Sequence, residues 1–181
     1  MTNRRSMYEL INWYALKVFY NRVQRFKETW VDPAGVQSFV PMHVVEQYAR
    51  GELSYAEKQL VPSLLFVRCT EGWLETLKDA HPDDFLFYPD ARGRKPGAIR
   101  DEEMRSFILV TSANGNPGDR HFMADLPQYH TGDRVRVTDG IYKGAEGYVK
   151  RIKKDRKLIV SVTGVAVVAV SNIHPSFLEK I

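Results

Sequence analysis

GDRVRVTDGIYKGAEGYVKRIKKDRKLIVSV, residues 132–162, is the stretch that decides the fold of the C-terminal part of this chain. Apolar and polar residues alternate in RVRV (134–137) and GYVKRI (147–152). Val-rich segments follow in LIVSV (158–162) and VAVVAV (165–170). Period-two alternation broken by glycines and a charged turn predicts four short strands in a small all-β barrel. Gly140, Gly144 and Gly147 are expected where the chain turns tightly and needs positive φ. They are not a phosphate loop, because no GK[ST] follows them. KRIKKDRK (150–157) sets six cations, Lys150, Arg151, Lys153, Lys154, Arg156 and Lys157, around Asp155. Cations this dense repel one another unless they are solvated or matched to an anion. A solvated hairpin and a site for RNA or another partner are both open at this point.

Charge separates this region from the rest. Residues 1–130 hold 16 Lys and Arg against 17 Asp and Glu, whereas residues 131–181 hold 10 against 5. The excess positive charge of the chain, +4 overall, therefore lies in its last 51 residues. That asymmetry raises the odds of a nucleic-acid or ribonucleoprotein partner. With 181 residues and 44% hydrophobic content, a packed core in one or two domains is expected. No apolar run reaches the ~20 residues of a membrane span. The single Cys69 cannot form an internal disulfide and suits a reducing, cytoplasmic setting.

Upstream, residues 112–130 are rich in Gly, Asn, Pro and Asp and read as a flexible linker. This divides the chain into 1–111, a linker over 112–130, and 131–181. The first part reads as α+β, an antiparallel sheet flanked by helices and related to a split βαβ unit. WYALKVFY (13–20) alternates as a strand. Asn21 is placed to cap a helix, NRVQRFKETW, that turns Val23, Phe26 and Trp30 to one face. QSFVPMHVVEQYARG and ELSYAEKQL read as two strands turning at residues 49–52. VPSLLFVRC (61–69) reads as a strand buried on both faces. Thr70 caps a second helix with Trp73, Leu74 and Leu77 inward. FLFYP (85–89) is a short strand, and Asp101 caps a third helix, DEEMRSFILV, with an acidic first turn.

Catalysis is not indicated. His43, His81, His121, His130 and His174 are scattered without ligand spacing, Cys69 has no His near it in sequence, and Asp101, Glu102 and Glu103 suit a helix N-terminus. No metal or cofactor is implied.

These fragments, in this order, resemble the NusG family of transcription elongation and antitermination factors. The carriers are Trp13, Tyr14 and Ala15 in the first strand, VPMHVVE (40–46), Pro62 in LVPSLLFV, and PGAIRDEEM (96–104). In the C-terminal part they are Gly132, Asp133, Val135, Val137, Gly140, Gly144 and Gly147, the pattern of a KOW module, an SH3-like barrel. Pro62-Ser63-Leu64 departs from the Pro-Gly-Tyr of housekeeping members. WYALKVFYN and KQLVPSLLFVRC look more like specialised paralogues that control long polysaccharide operons by antitermination.

The resemblance implies that the N-terminal domain docks an apolar depression on a coiled coil of the RNA polymerase clamp, with Tyr14, Val61, Leu64 and Phe66 as candidates. It implies contacts with non-template DNA through Arg22, Arg25, Lys27, Tyr48, Arg50 and Tyr55. It also implies a ribosomal protein, a termination factor or RNA as partner of the basic KOW hairpin. Some specialised members hold this module in a helical form, but the Val-rich VTGVAVVAV favours strand here. A ribosome-associated or RNA-binding protein built on the same module is the alternative reading.

Overall fold

The computed structural model describes residues 10–114, 119–123, 132–152 and 154–181. The N-terminal half is built on a four-stranded antiparallel sheet. Its strand β1 (Asn12–Val18) lies between β5 (Leu64–Cys69) and β6 (Phe85–Phe87), and β2 (Gln37–Phe39) flanks β5. Both faces of the central strands are apolar because both are covered. Trp13 and Ala15 share one face with Leu64 and Phe66. Tyr14, Leu16 and Val18 share the other with Leu65, Val67 and Cys69, packed under the first two helical segments. The buried strand expected from VPSLLFVRC is present. QSF, read as part of the hairpin, instead pairs with β5, and the hairpin starts later as β3 (Met42–Ala49) and β4 (Glu52–Gln59).

The first helix departs from its expected register. α1 (Val23–Phe26) widens into a π-helical segment, Lys27–Val31, and closes as a 3-10 turn, Asp32–Ala34, capped by left-handed Gly35. A widened turn brings residue i+5, not i+4, onto the inner face. Val31 is therefore buried after Phe26, and Trp30 is left 45% exposed. Asn21 does not cap the helix: it follows Tyr20 in the left-handed region, and the N-cap position belongs to Arg22 without a side-chain hydrogen bond. In α2 (Glu71–Ala80) the expected cap is present, the Trp73 amide donating to Thr70 Oγ1 at 3.2 Å. In α3 (Asp101–Ser112) the cap position is Arg100, again without a side-chain bond, and Asp101 is the first helical residue.

The C-terminal half is a six-stranded antiparallel sheet, not four strands alone. The expected segments form β8 (Asp133–Val137), β9 (Glu146–Ile152), β10 (Asp155–Val162) and the fully buried β11 (Ala166–Val170). Two edge strands were not legible: β12 (Leu178–Lys180) beside β8, and β7 (Arg120–Met123) beside β11. β7 lies within the stretch read as linker, where short, weakly patterned edge strands resemble loops. Gly144 adopts the positive φ expected for the turn and donates to Val137 O at 2.8 Å. Gly147 is required for a different reason. A Cβ there would collide with the carbonyl oxygen of Ile159 on the neighbouring strand.

Between the two sheets lies α3. Met104, Phe107 and Val110, at three-residue intervals, join Phe66 and Leu64 on one side to Val135, Leu158 and Val160 on the other in a single apolar cluster. Polar contacts fix this stack. The Glu146 amide donates to buried Ser106 Oγ at 3.1 Å, and Thr163 Oγ1 donates to Glu103 at 2.7 Å. The Arg120 guanidinium donates to the carbonyls of Val110 and Thr111 at 3.2 and 2.9 Å, satisfying the C-terminal end of α3. Charge-assisted bonds of this type contribute roughly 1.5–3 kcal/mol, so Arg120→Ala should cost about that much stability, read as a lower urea midpoint at unchanged m. An unchanged midpoint would show that this cap contributes nothing.

Candidate functional site

The four residues expected to form an apolar docking patch are not together on the surface. Leu64 and Phe66 are 1% and 0% exposed beneath α3, and Tyr14 is buried on the opposite face of the sheet. Burial also raises the Tyr14 phenol above its ordinary pKa, against a hydrogen bond to Asn12 that lowers it. Val61 alone is partly exposed, packed against the same cluster as Leu64. The alternation of WYALKVFY did not reveal this, because a strand covered on both faces looks the same whichever face is assigned to solvent.

An open apolar groove does exist beside them. α3 buries one side against the two sheets, and its Ile108 and Leu109, partly buried against the same cluster, line the groove next to Trp13. The main chain holds Trp13 in place: the Ile99 amide donates to Trp13 O at 2.8 Å, pinning the α3 entry loop to β1. Arg68, Asp101 and Arg105 rim the groove, with Arg68 and Asp101 3.7 Å apart. An apolar floor with a charged rim is the anatomy of a protein-binding surface. The sequence signal was the pair Ile108-Leu109, one position off the inward stripe of the helix.

The expected nucleic-acid residues fall into two groups. Arg22 and Arg25 line one cleft with Phe19, Phe26 and Trp30. Trp30 packs against His81 with ring centroids 4.2 Å apart and planes tilted by 46°, and His81 Nδ1 lies 3.1 Å from Asp84. The Arg22 guanidinium sits over the Tyr20 ring at 5.2 Å. Trp30 was assigned to the core from helical spacing, and the widened turn is what presents it here. Lys27 is engaged elsewhere, in a 2.8 Å ion pair with Asp32. Tyr48, Arg50 and Tyr55 belong to the second group, on the β3–β4 hairpin. Its two-residue turn is Arg50-Gly51, both at positive φ, the geometry that matches the twist of paired strands.

On the C-terminal sheet the basic hairpin forms as expected between β9 and β10. Arg151 pairs with Arg156 and Lys150 with Lys157, cation opposite cation. Such pairs disfavour the ribbon unless an anion is near. Lys157 Nζ donates to Ser171 Oγ at 2.6 Å, and Lys154 and Arg156 are exposed. Lys153, the sixth cation, lies outside the described residues, as does His130. Cys69 is buried, and burial pushes its thiol up to about 12, which leaves it unreactive at neutral pH. Among the described residues no three or more His, Cys, Asp or Glu side chains converge as metal ligands, and no helix is long and apolar enough to cross a membrane.

Comparison with known proteins adds an independent observation. A family model described as "Transcription termination factor nusG" matches residues 11–108. The chain is 25% identical over 170 residues to a "Transcription termination/antitermination protein NusG" of Chlamydia pneumoniae, covering 86% of this chain and 87% of that protein. It is 24% identical over 122 residues to the protein of the same description from Borreliella burgdorferi, covering 65% of each. A solved structure described as "Domain interaction in Thermotoga maritima NusG" aligns at 19% identity over 95% of this chain and 98% of that one, with a TM-score of 0.48.

Proposed function

This chain belongs to the NusG family, and we propose from that membership that it binds RNA polymerase and acts as an antiterminator, favouring processive elongation on particular operons. The observation that carries the reading is the groove of Trp13, Ile108 and Leu109, whose lining residues other than Leu109 fall within the stretch that matches the family model. A coiled coil presents aliphatic side chains flanked by charges, and this groove offers the complement: an apolar floor, with Arg68, Asp101 and Arg105 around it. The clamp coiled coil that the family resemblance implies fits that chemistry. Residues 1–111 are the docking domain in this proposal, and 131–181 are the partner-recruiting module.

The cleft of Arg22, Arg25 and Trp30 is proposed to hold the displaced non-template strand. Guanidinium groups contact phosphates without regard to sequence, and an exposed indole offers a face on which a base stacks. Single-stranded DNA affinity, measured by fluorescence anisotropy across salt concentrations, tests this. Arg22→Ala with Arg25→Ala should flatten the salt slope by about 1.4, roughly 0.7 for each phosphate no longer neutralised. Trp30→Ala should weaken binding by about 1–3 kcal/mol. Unaltered slope and affinity would remove the cleft from the account.

The cation-paired β9–β10 ribbon supports a second reading, in which the C-terminal module binds RNA or a ribosomal component. One pull-down separates the two. The polymerase reading expects retention of core polymerase free of nucleic acid. The alternative expects ribosome association that nuclease abolishes, with no retained polymerase.

A further inference from the structure

β3 and β4 pair over eight positions, from Met42 opposite Gln59 to Ala49 opposite Glu52, in a two-stranded sheet that neither main sheet extends. Strand alternation gathers Val44, Glu46 and Tyr48 with Leu53, Tyr55 and Glu57 on one face. Its apolar members are solvated: Tyr48 is 75% exposed, Tyr55 65%, Leu53 45% and Val44 42%. A two-stranded ribbon is marginal alone in water, and a contiguous exposed apolar stripe marks an interaction surface.

Charge selects the occupant. Glu46 lies directly opposite Tyr55, and Glu57 directly opposite Val44. Within the hairpin no Lys, Arg or His shares this face: Lys58 and His43 pair on the other one, and Arg50 is in the turn. The basic residues near it are at its base, where His43 and Arg120 line a cleft with Val44 and Glu57, away from Tyr48 at the turn end. Two carboxylates beside the tyrosines repel phosphates, which disfavours stacked nucleic acid. A second copy of the same face would set carboxylates against carboxylates. The base of the stripe also adjoins the proposed docking groove through α3, since Met42 and Val44 line a cleft with Thr111 and Ala113 at that helix's end.

We propose that this hairpin face is a second polymerase contact, docking on a polymerase segment that carries Lys or Arg beside aliphatic side chains. The inference rests on the polymerase-binding reading above. The tyrosines insert among the aliphatic groups, and Glu46 and Glu57 meet the cations at the rim. Such rim charges act mainly on association rate and salt dependence.

The test uses the full chain, purified core RNA polymerase and, as a second probe, a single-stranded DNA of about 30 nucleotides, long enough for several single-strand sites. Tyr48→Ser with Tyr55→Ser should weaken polymerase binding by about ten-fold or more, as loss of aromatic anchors does. Glu46→Lys with Glu57→Lys, which keeps the apolar stripe, should weaken it by about ten-fold at low salt and less at high salt. Lys58→Glu, on the opposite face, should leave it within about two-fold. Circular dichroism confirms that each variant is folded. Wild-type binding with both double variants unchanged overturns the hairpin contact and leaves polymerase binding intact. Failure of the wild type to bind polymerase overturns both readings. Loss of DNA binding, or conversion of a dimer to a monomer on size exclusion, with polymerase affinity unchanged, assigns the face to another occupant and overturns the proposal.

Discussion

Leu64→Asp should leave the chain unable to fold cooperatively. Leu64 is 1% exposed, its amide donates to Val61 O at 3.1 Å, and its side chain sits in the cluster that joins the first sheet to α3. Removing a buried leucine side chain alone costs about 2–5 kcal/mol. An unpaired carboxylate in that space adds a desolvation penalty of several kcal/mol more. The sum rivals the ~5–15 kcal/mol that holds a typical domain together. Urea titration followed by circular dichroism should show no cooperative transition for Leu64→Asp. Leu64→Met, which conserves volume, should lose less than about 1.5 kcal/mol. A wild-type midpoint for the aspartate variant would mean that Leu64 faces solvent after all. Loss of polymerase binding in Leu64→Asp therefore says nothing about docking.

Ile108→Glu with Leu109→Glu should instead spare the fold and abolish docking. Both side chains line the open groove and pack only partly against the cluster, while Met104, Phe107 and Val110 are fully buried within it. Two carboxylates on the floor of the groove would have to be desolvated by the partner. With hot-spot truncations costing about 2 kcal/mol or more, affinity for core polymerase should fall by about 100-fold, with a retained cooperative unfolding transition. Folded protein with unchanged affinity would exclude this groove as the docking site.

The fold was largely legible in the sequence, and for identifiable reasons. Strong local signals, such as the doubly apolar LLFV, the Thr70 cap and the Val-rich C-terminal strands, are consistent with their tertiary surroundings, so pattern and structure agree. Trp30 was misplaced because sequence spacing carries no mark of a widened helical turn. β7 and β12 were missed because strands of three or four residues at a sheet edge lack a period to detect. The candidates for an open apolar patch were placed on the surface for a third reason. Tyr14, Leu64 and Phe66 belong to strands covered on both sides, and only the position of α3 shows which apolar groups remain open. The glycine at 147 was correctly singled out, but its role is close strand approach and not positive φ.

Action on transcribing polymerase through the N-terminal groove has a functional readout. Single-round transcription in vitro, with cognate polymerase and a template carrying an intrinsic terminator, tests it most directly. The wild-type chain should raise the fraction of read-through transcripts, and the Ile108→Glu, Leu109→Glu variant should not. Identical read-through with and without saturating folded wild-type chain, on templates with and without the operon's own leader, would contradict it.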